Sequence, residues 1–230
     1  MKILAFIPAR SGSKRLKNKN LKIFNGKPLI YYSLMIGRKT RTITPFVSTD
    51  SIKILNYAKK QGIKFNYLRP KSISRDSSKV IDAVLHALEW LKKKNFNFDA
   101  VMLLQPTSPI RLKKEFKNII SEFKKRNLQS IVSVVAHKEI PDTILLKKKK
   151  WKYLTKDRNR SPNRQIYSNK FFTIDGSYYL SRVSFLQKNK SFINKNTTQV
   201  FISSVYPMVD INNILDFNIA EFLNKKIYRK

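Results

Sequence analysis

Short apolar runs alternate along the chain with longer segments whose apolar residues recur at helical spacing. Residues 3–7 form a continuous apolar run that stops at Pro8, which is typical of a strand buried on both faces. The two patterns predict strands at residues 3–7, 43–48, 64–68, 100–104 and 130–135, and helices at residues 27–39, 51–61, 77–94 and 112–126. Strands and helices that alternate with short links predict an α/β fold with a mostly parallel sheet covered on both faces.

The alternation stops between His137 and Phe172. This stretch is polar and basic and follows neither period, but it keeps apolar residues such as Trp151 and Tyr167. We interpret it as an arm that packs on a partner subunit, with a disordered linker as the alternative. Regular patterns return in predicted strands at 177–181 and 200–205 and a predicted helix at 213–225. We therefore expect one domain over residues 1–230, with residues 137–172 a small dimerisation arm.

The composition is strongly basic. The chain has 48 Lys and Arg residues against 14 Asp and Glu, a formal net charge of +34, which suggests a nucleic acid or an anionic membrane as partner. The lysines are mixed with Asn and Ile along the whole chain, as A+T-rich coding produces, whereas a nucleic-acid footprint concentrates on one helix or face. We therefore expect no nucleic-acid partner, but a field that attracts anionic nucleotides and acidic sugars.

Cysteine usage and the first residues bear on the compartment. The sequence has no cysteine, which excludes disulfides and thiolate metal sites. Its first apolar run is too short for the hydrophobic region of a signal peptide and is followed by cations. No apolar stretch approaches the roughly 20 residues that a membrane helix needs. We expect a cytoplasmic protein with no membrane partner.

A loop rich in Ser, Gly and Lys follows the first predicted strand. An open α/β sheet binds its ligands beyond the carboxyl ends of its strands, so this loop is well placed for a polyphosphate. It can offer backbone N–H groups, hydroxyls and cations from Arg10, Ser11, Gly12, Ser13, Lys14 and Lys19. The loop matches neither GxxxxGK[ST] nor GxGxxG, so phosphate would be bound in a different geometry. A basic surface turn is the alternative.

Several motifs of the chain occur together in one known family. The segment Ile7–Asn20, IPARSGSKRLKNKN, resembles the signature of the cytidylyltransferases that make CMP-sialic acid and CMP-Kdo. The likeness is closest to the acylneuraminate branch, which includes legionaminate and pseudaminate cytidylyltransferases. Further segments with the family's order are VSTD at Val47–Asp50, LLQPTSPIR at Leu103–Arg111, DGSYY at Asp175–Tyr179, VDIN at Val209–Asn212 and Asp216-Phe217. The resemblance therefore covers essentially the whole chain.

This resemblance implies a three-layer, Rossmann-like nucleotide-diphospho-sugar transferase fold and a specific reaction. The anomeric hydroxyl of a sialic, legionaminic or pseudaminic acid attacks the α-phosphate of CTP, and pyrophosphate leaves. Because charge builds on the leaving group, positioned cations should contribute most to the rate. The implied catalytic residues are Arg10, Lys19 and Asp210, with Lys19 near the α-phosphate. The implied CTP-binding residues are Arg10, Ser11, Gly12, Ser13, Lys14, Lys19, Asn20 and Arg69.

The resemblance also implies a pocket for the acidic nine-carbon sugar. Gln105 follows a predicted strand, and its amide can both donate to and accept from hydroxyls. Arg164 and Gln165 are candidates for the sugar carboxylate, because a guanidinium binds it at two points. In this family the arm usually crosses to a neighbouring subunit, which implies a homodimer. Tyr179 and Phe192 could flank the sugar, although aromatic residues near a strand more often belong to the core.

Mg²⁺ is the implied cofactor, bound by Asp210 and Asn212. Mg²⁺ prefers one or two carboxylates with phosphate oxygens and waters. The family has Asp where this chain has Asn212, a weaker ligand that can still bind the ion directly or through water. This departure keeps open the hypothesis of a non-catalytic member that binds nucleotide.

Smaller departures concern the sugar pocket. Asp175 stands where the family commonly has Asn, and Thr173 where an Arg can precede this motif. The acidic Asp175 would repel a sugar carboxylate, so either it points elsewhere or the substrate differs there. Asp82 and His86 lie four apart on a predicted helix, and we interpret His86 as a packed side chain and not as a metal ligand. A Kdo-specific enzyme and a nucleic-acid-binding protein remain alternatives.

Overall fold

The computed structural model describes residues 1–38, 42–137, 144–147, 151–153, 171–205 and 209–228. The strands are β1 (Ile3–Pro8), β2 (Ile23–Phe24), β3 (Lys27–Pro28), β4 (Ile43–Ser48), β5 (Ala100–Leu103), β6 (Ser130–His137), β7 (Leu145–Lys147), β8 (Trp151–Tyr153), β9 (Phe171–Arg182) and β10 (Gln199–Ile202). The helices are α1 (Ile30–Gly37), α2 (Ile52–Lys60), α3 (Val80–Lys92), α4 (Lys113–Lys125), α5 (Val183–Asn189) and α6 (Ile214–Tyr228). Short 3-10 helices span Lys19–Leu21 and Lys71–Ile73.

The core of the molecule is a six-stranded sheet in the order β10-β6-β9-β5-β1-β4. β1 pairs in parallel with β4 and β5, and β10 pairs in parallel with β6. β9 lies between β5 and β6 and runs antiparallel to both. The predicted α/β class with a mostly parallel sheet is confirmed.

Alternation along β1 explains the three layers. Ile3, Ala5 and Ile7 point to one face, where they pack with residues of α1, α2 and α4. Leu4 and Phe6 point to the other face, where they pack with α3 and α5. Every one of these side chains is fully buried, so a strand of this kind needs apolar residues at successive positions. This is why β1 appears in the sequence as a continuous apolar run.

The predicted strand at 64–68 was wrong. Only an isolated parallel bridge joins Leu68 to Thr49 there. The segment still alternates, with Phe65 and Tyr67 buried and Lys64 and Asn66 exposed. Pro45 of the neighbouring edge strand β4 has no backbone N–H, so it cannot donate to a further strand on that side.

Other boundaries moved for local reasons. The helix predicted from residue 27 begins at Ile30, because Lys27 and Pro28 pair with β2 in a hairpin. Asn25 and Gly26 form its turn with φ of 45° and 82°, the left-handed values that an Asn-Gly pair accommodates. The strand predicted at 177–181 extends over all of β9, and α5 was not predicted. β7 and β8 form a separate hairpin within the predicted arm.

Candidate active site

A cleft of about 310 Å³ lies beyond the carboxyl ends of β1 and β5. It is lined by Pro8, Arg10, Lys19, Asn20, Arg69, Arg75, Ser78, Lys79, Val80, Gln105, Pro106, Thr107, Asp210 and Asn212. This is the edge at which an open α/β sheet binds ligands. Residues 200 positions apart in the sequence, such as Arg10 and Asp210, therefore share one site.

The loop after β1 is held by a few specific hydrogen bonds. The Asn20 side-chain amide donates to the carbonyl of Arg10 at 2.9 Å and closes the loop on itself. Ser11 donates its backbone N–H and its hydroxyl to the two carboxylate oxygens of Asp50, each at 2.8 Å. Burial acts to raise the pKa of Asp50, but the two Ser11 bonds, the backbone N–H of Asp50 and the charge of Arg69 together lower it. Asp50, the last residue of the VSTD motif, is thus a charged anchor for the loop.

Lys19 is a half-buried cation that lines the cleft. Its Nζ donates to the carbonyl of Ile211 at 2.8 Å, which ties the loop after β1 to the segment that carries Asp210. Burial lowers the pKa of Lys19, the Asp210 carboxylate acts to raise it, and Arg10 acts to lower it. Lys19 is therefore a partly desolvated cation with a fixed direction, which suits it to an anionic ligand.

Arg10 and Lys14 face an acid that the sequence did not single out. Asp76 forms an ion pair with Arg10 through one carboxylate oxygen and with Lys14 through the other, the latter at 2.7 Å. Hydrogen bonds from Lys14 and then from Arg10 lower the pKa of Asp76. Both cations predicted to bind phosphate are thus joined to one carboxylate.

Arg69 is a buried arginine at the rim of the cleft. Its Nη2 donates to the carbonyl of Ser48 at the end of β4, and its backbone N–H donates to Thr49 at 2.7 Å. Burial lowers the pKa of Arg69, while the Asp50 carboxylate acts to raise it. Its guanidinium is fixed against β4, with the exposed 6% of the residue at the cleft.

Gln105 is positioned by buried neighbours. Arg111, from the same motif, is 3% exposed and donates to the carbonyls of Gln105 and Ser177 at 2.7 and 2.8 Å. Gly176 of β9 lies against Gln105, since a Cβ there would come within 3.4 Å of the Gln105 Oε1. The sequence places Arg111 in the LLQPTSPIR motif without indicating a role. The structure shows that it holds the loop after β5 against β9.

The acidic wall of the cleft is the turn before α6. Asn212 donates its side-chain amide to Asp210 Oδ2 at 3.0 Å, and Ile211 donates its backbone N–H to Thr107 at 2.9 Å. Asp216 accepts the backbone N–H groups of Asn212 and Asn213 at 2.8 and 3.1 Å and so caps the start of α6. Asp210 is thereby left as the carboxylate of the cleft lining, beside Asn212.

Two of the other sugar-binding candidates, Tyr179 and Phe192, do not line this cleft. Tyr179 is half-buried and contacts Phe192 edge to face at 6.0 Å, and Phe192 is buried in the core. Arg164 and Gln165 lie outside the described residues. Asp175 is buried and accepts hydrogen bonds from Ser133 and from the Ser177 N–H, and it does not line the cleft. The His86 interpretation agrees with its 2.8 Å hydrogen bond to Tyr67.

Part of the loop also lies away from the cleft. Ser11, Gly12, Ser13 and Lys14 are not among its lining residues, and Ser11 instead borders a second pocket towards α2. The cleft has a wall that the sequence reading missed, formed by Arg75, Ser78, Lys79 and Val80 at the start of α3. A possible signal was the Ser- and Asp-rich run between Arg69 and that helix.

None of the helices in the described residues combines the length and apolar character needed to cross a bilayer. In the same part of the chain, no group of three or more His, Cys, Asp or Glu residues forms a metal-binding cluster. The cytoplasmic location and the Mg²⁺ site stay predictions.

Comparison with known proteins gives a consistent result. The sequence model of a family described as cytidylyltransferase matches residues 4–215. The chain is 32% identical to CMP-N,N'-diacetyllegionaminic acid synthase of Legionella pneumophila, over 97% of this chain and 96% of the relative. It is 28% identical to pseudaminic acid cytidylyltransferase of Campylobacter jejuni, over 98% and 97% of the two chains.

The solved structure of a CMP:2-keto-3-deoxy-manno-octonic acid synthetase complexed with CTP shares the fold, with a TM-score of 0.72 at 17% identity over 99% of this chain and 100% of the other. With the family model matched from β1 to the start of α6, the chain belongs to the cytidylyltransferase family and is a nucleotidyltransferase.

Proposed function

We propose that this chain transfers CMP from CTP to the anomeric hydroxyl of a nonulosonic acid, a sialic, legionaminic or pseudaminic acid, and releases pyrophosphate. The observation that carries the proposal is the convergence of Lys19, Gln105 and Asp210 on one cleft at the end of β1. The relatives named as legionaminic and pseudaminic acid enzymes match over nearly the full chain and support this substrate class.

The proposed chemistry needs stabilisation of negative charge more than it needs a base. In the reaction a bond forms between the sugar oxygen and the α-phosphorus, and the bond to the bridging oxygen of pyrophosphate breaks. The hydroxyl proton is lost to water, and pyrophosphate leaves with the bonding electron pair. Lys19 and Arg10 oppose the charge that gathers on the phosphate oxygens, from a cleft in which their field is only partly screened. Lys19 is directed by the Ile211 carbonyl, so little reorganisation is needed during the reaction.

Arg69 and Gln105 have binding roles in this proposal. Arg69 is anchored on β4 and presents its cation to the nucleotide. Gln105 offers an amide to the hydroxyls of the sugar, and Arg111 keeps its backbone in place. Arg164 and Gln165, outside the described residues, remain proposed partners of the sugar carboxylate.

Mg²⁺ belongs to the proposal as an ion shared between the chain and the triphosphate. Asp210 supplies one carboxylate at the cleft. Asn212 donates its amide N–H to that carboxylate at 3.0 Å and would bind the ion through its amide oxygen after the side chain turns. These groups fit a metal that takes its remaining ligands from phosphate oxygens and water. The ion would neutralise phosphate charge, with Asp210 fixing the position of the ion and Lys19 that of the phosphate.

A homodimer is also part of the proposal. Apolar side chains are exposed at this end of the sheet. β10 and β9 lie on either side of β6, and Ile202 and Ile174 are the residues that pair with Val134. Ile202 is 61% exposed and Val200 is 57% exposed, which is costly for a free surface. Light scattering of the purified protein tests this point, and a monomer at micromolar concentration would contradict it.

Two other functions remain as alternatives. A non-catalytic member would bind CTP without turnover, and the feature in its favour is Asn212 in place of an acid. A nucleic-acid-binding protein would use the net charge of +34 and would not need CTP.

One assay separates these functions. Pyrophosphate release is measured with CTP, Mg²⁺ and separate N-acetylneuraminic, legionaminic and pseudaminic acids, with Kdo as a further sugar and UTP and ATP as nucleotide controls. We expect release with CTP and one of the three nonulosonic acids. Binding of CTP without release with any sugar would leave the non-catalytic function, and absence of CTP binding would overturn the proposal.

Paired variants link the activity to the cleft. Lys19→Met removes the half-buried cation of the cleft, and we expect a loss of at least about 100-fold in kcat/KM, of the size seen when one stabilising donor is removed. Lys17→Met removes the same charge from an exposed residue that does not line the cleft, and we expect less than about a twofold change. Equal effects of both variants would contradict this assignment.

A further inference from the structure

Asp76 forms ion pairs with two cations, Arg10 and Lys14, that are predicted to bind the nucleotide. Its two carboxylate oxygens pair with Arg10 and Lys14, one cation each. Arg10 lines the cleft, and so does Arg75, the residue before Asp76. Lys14 does not line the cleft, but it is predicted to bind phosphate and is joined to Arg10 through Asp76. A triphosphate that reaches Arg10 and Lys14 would place its own anionic oxygens against this carboxylate. Both anions cannot hold the same two cations without strong repulsion.

The segment that carries Asp76 is a turn at the surface. Asp76 and Ser77 lie at the tip of a turn in which the Ser78 N–H donates to the Arg75 carbonyl at 3.1 Å. Every residue from Arg75 to Lys79 is exposed or half-buried, so none is held in the core. A shift of this tip therefore does not require the core to open.

We propose that Asp76 is a placeholder for phosphate: it pairs with Arg10 and Lys14 in the empty enzyme, yields them to the triphosphate of CTP, and takes them back from pyrophosphate. This inference rests on the proposed function, because it requires CTP in the cleft. Asp76 acts through the two cations, so it is a positioning residue and makes no contact with the reacting atoms.

The exchange has consequences at both ends of the cycle. In the empty enzyme the carboxylate keeps Arg10 and Lys14 ordered and partly neutralised, which weakens the binding of small anions such as inorganic phosphate. CTP gains the two cations together with the base and α-phosphate contacts, so it can displace the acid. Pyrophosphate has lost the link to the nucleotide, and competition from Asp76 speeds its release.

The test is a comparison of ligand affinities in Asp76→Asn and the unchanged protein. Isothermal titration measures CTP and pyrophosphate binding, each with Mg²⁺ and without sugar. We expect Asp76→Asn to bind both ligands about threefold to tenfold more tightly, as expected for removing a competing surface anion. We also expect kcat to fall and product inhibition by pyrophosphate to rise by a similar factor.

Asp82→Asn is the matched control. Asp82 is an exposed acid in the first turn of α3, and its replacement changes the net charge of the chain by the same amount. We expect it to change the affinity for pyrophosphate by less than twofold, roughly the variation of surface substitutions. Equal tightening in both variants would overturn the proposal, because it would show a general effect of charge.

A double-mutant cycle with Lys14→Ala identifies the route. If Asp76 acts by occupying Lys14 and Arg10, the gain from Asp76→Asn becomes smaller in the Lys14→Ala protein. Unchanged or weaker pyrophosphate binding in Asp76→Asn, with normal CTP binding by the parent protein, overturns the placeholder role alone. Failure of the parent protein to bind CTP overturns the proposed function instead, so the two failures are distinguishable.

Discussion

Individual side chains in the cleft are set by partners distant in sequence. Lys19 donates a hydrogen bond to the Ile211 carbonyl, and Asn212 donates one to the Asp210 carboxylate. The amide of Asn212 therefore does two things: it satisfies a carboxylate oxygen in the empty site and occupies the position of a second acid. An amide carries no charge, so its contribution to holding a cation is smaller than that of a carboxylate.

Asn212→Asp should strengthen metal binding. The change places two carboxylates close to each other, and a cation that binds between them relieves their repulsion. We expect the Mg²⁺ concentration for half-maximal activity to fall about threefold or more and kcat to rise, as a second ligand charge tightens divalent-ion sites. Magnesium titrations of pyrophosphate release measure both quantities.

The neighbouring Asn213 offers the control for this change. Asn213 accepts the backbone N–H of Asp216, and Asp replaces Asn well at the start of a helix. Asn213→Asp adds the same charge one residue away, and we expect an unchanged Mg²⁺ requirement. If Asn212→Asp behaves like Asn213→Asp, then Asn212 is not at a metal site.

Sequence reasoning found the residues whose chemistry is local and missed those whose role depends on a distant partner. The cations of the loop and Gln105 follow β1 and β5 directly, so strand ends were enough to place them. Asp76 differs, because only the folded chain brings it to Arg10 and Lys14. Phe192 is the opposite case: it was predicted to flank the sugar, but it is buried in the core, and the sequence around it does not show this.

At the scale of elements, β9 supports the loop after β5, which carries Gln105 of the cleft. It is antiparallel between β5 and β6, and its pairing with β6 shifts register between Val132 and Val134. The irregularity falls opposite Asp175 and Gly176, where Asp175 is held by Ser133 and Gly176 has φ of +74°. The absence of a side chain at Gly176 allows the loop after β5 to approach the strand.

Gly176→Ala should disturb the sugar pocket more than the nucleotide site. A Cβ would lie 3.0 Å from Ser108 Oγ and 3.4 Å from Gln105 Oε1, and the positive φ is strained for any L residue. We expect a loss of about 1–3 kcal/mol in the free energy of unfolding, with a raised KM for sugar and a nearly unchanged KM for CTP. Urea unfolding and separate KM measurements check the two effects.

Gly26→Ala separates backbone strain from contact. Gly26 has φ of +82°, but a Cβ there meets nothing within 4 Å. We expect a similar loss of stability without a change in sugar KM. A raised sugar KM in both variants would show that lower stability, and not the contact with Gln105, causes the effect.

Elements buried on both faces were easier to predict than elements at edges. β1 and β5 are continuous apolar runs because both of their faces are covered, and their bounds matched to within one residue. The segment at 64–68 has the alternation of a strand, but pairing is decided by the neighbour, and Pro45 offers no donor. The Asn-Gly turn between β2 and β3 was a readable signal that the helical spacing after it concealed.

At the scale of the whole molecule, charge is the property that remains to be related to function. The net charge of +34 is spread over the sequence, yet the described cleft gathers Arg10, Lys19, Arg69, Arg75 and Lys79 at one edge of the sheet. These five cations outnumber Asp210, the carboxylate of the lining, and an excess of one sign of charge raises the local concentration of an opposite ligand and its rate of association. CTP, with its triphosphate, is a suitable ligand for such steering.

Salt should therefore slow the capture of CTP. Between about 20 and 500 mM NaCl the screening length falls several-fold, from above 20 Å to a few ångströms, so cations beyond the contact shell no longer contribute. We expect the association rate constant for CTP to fall about tenfold over this range, while the dissociation rate changes less. Stopped-flow measurements with the isolated enzyme give both constants.

Removing charges far from the cleft tests whether the cations of the cleft or the total charge of the chain attract CTP. Lys92 and Lys93 are exposed at the carboxyl end of α3, whose opposite end borders the cleft. Replacing both by Gln removes two charges, and we expect the CTP association rate to change by less than about twofold at low salt, because screening limits distant charges. A loss as large as that from Arg75→Gln and Lys79→Gln together would show that the total charge steers the nucleotide. The opposite result assigns the steering to the cations that line the site.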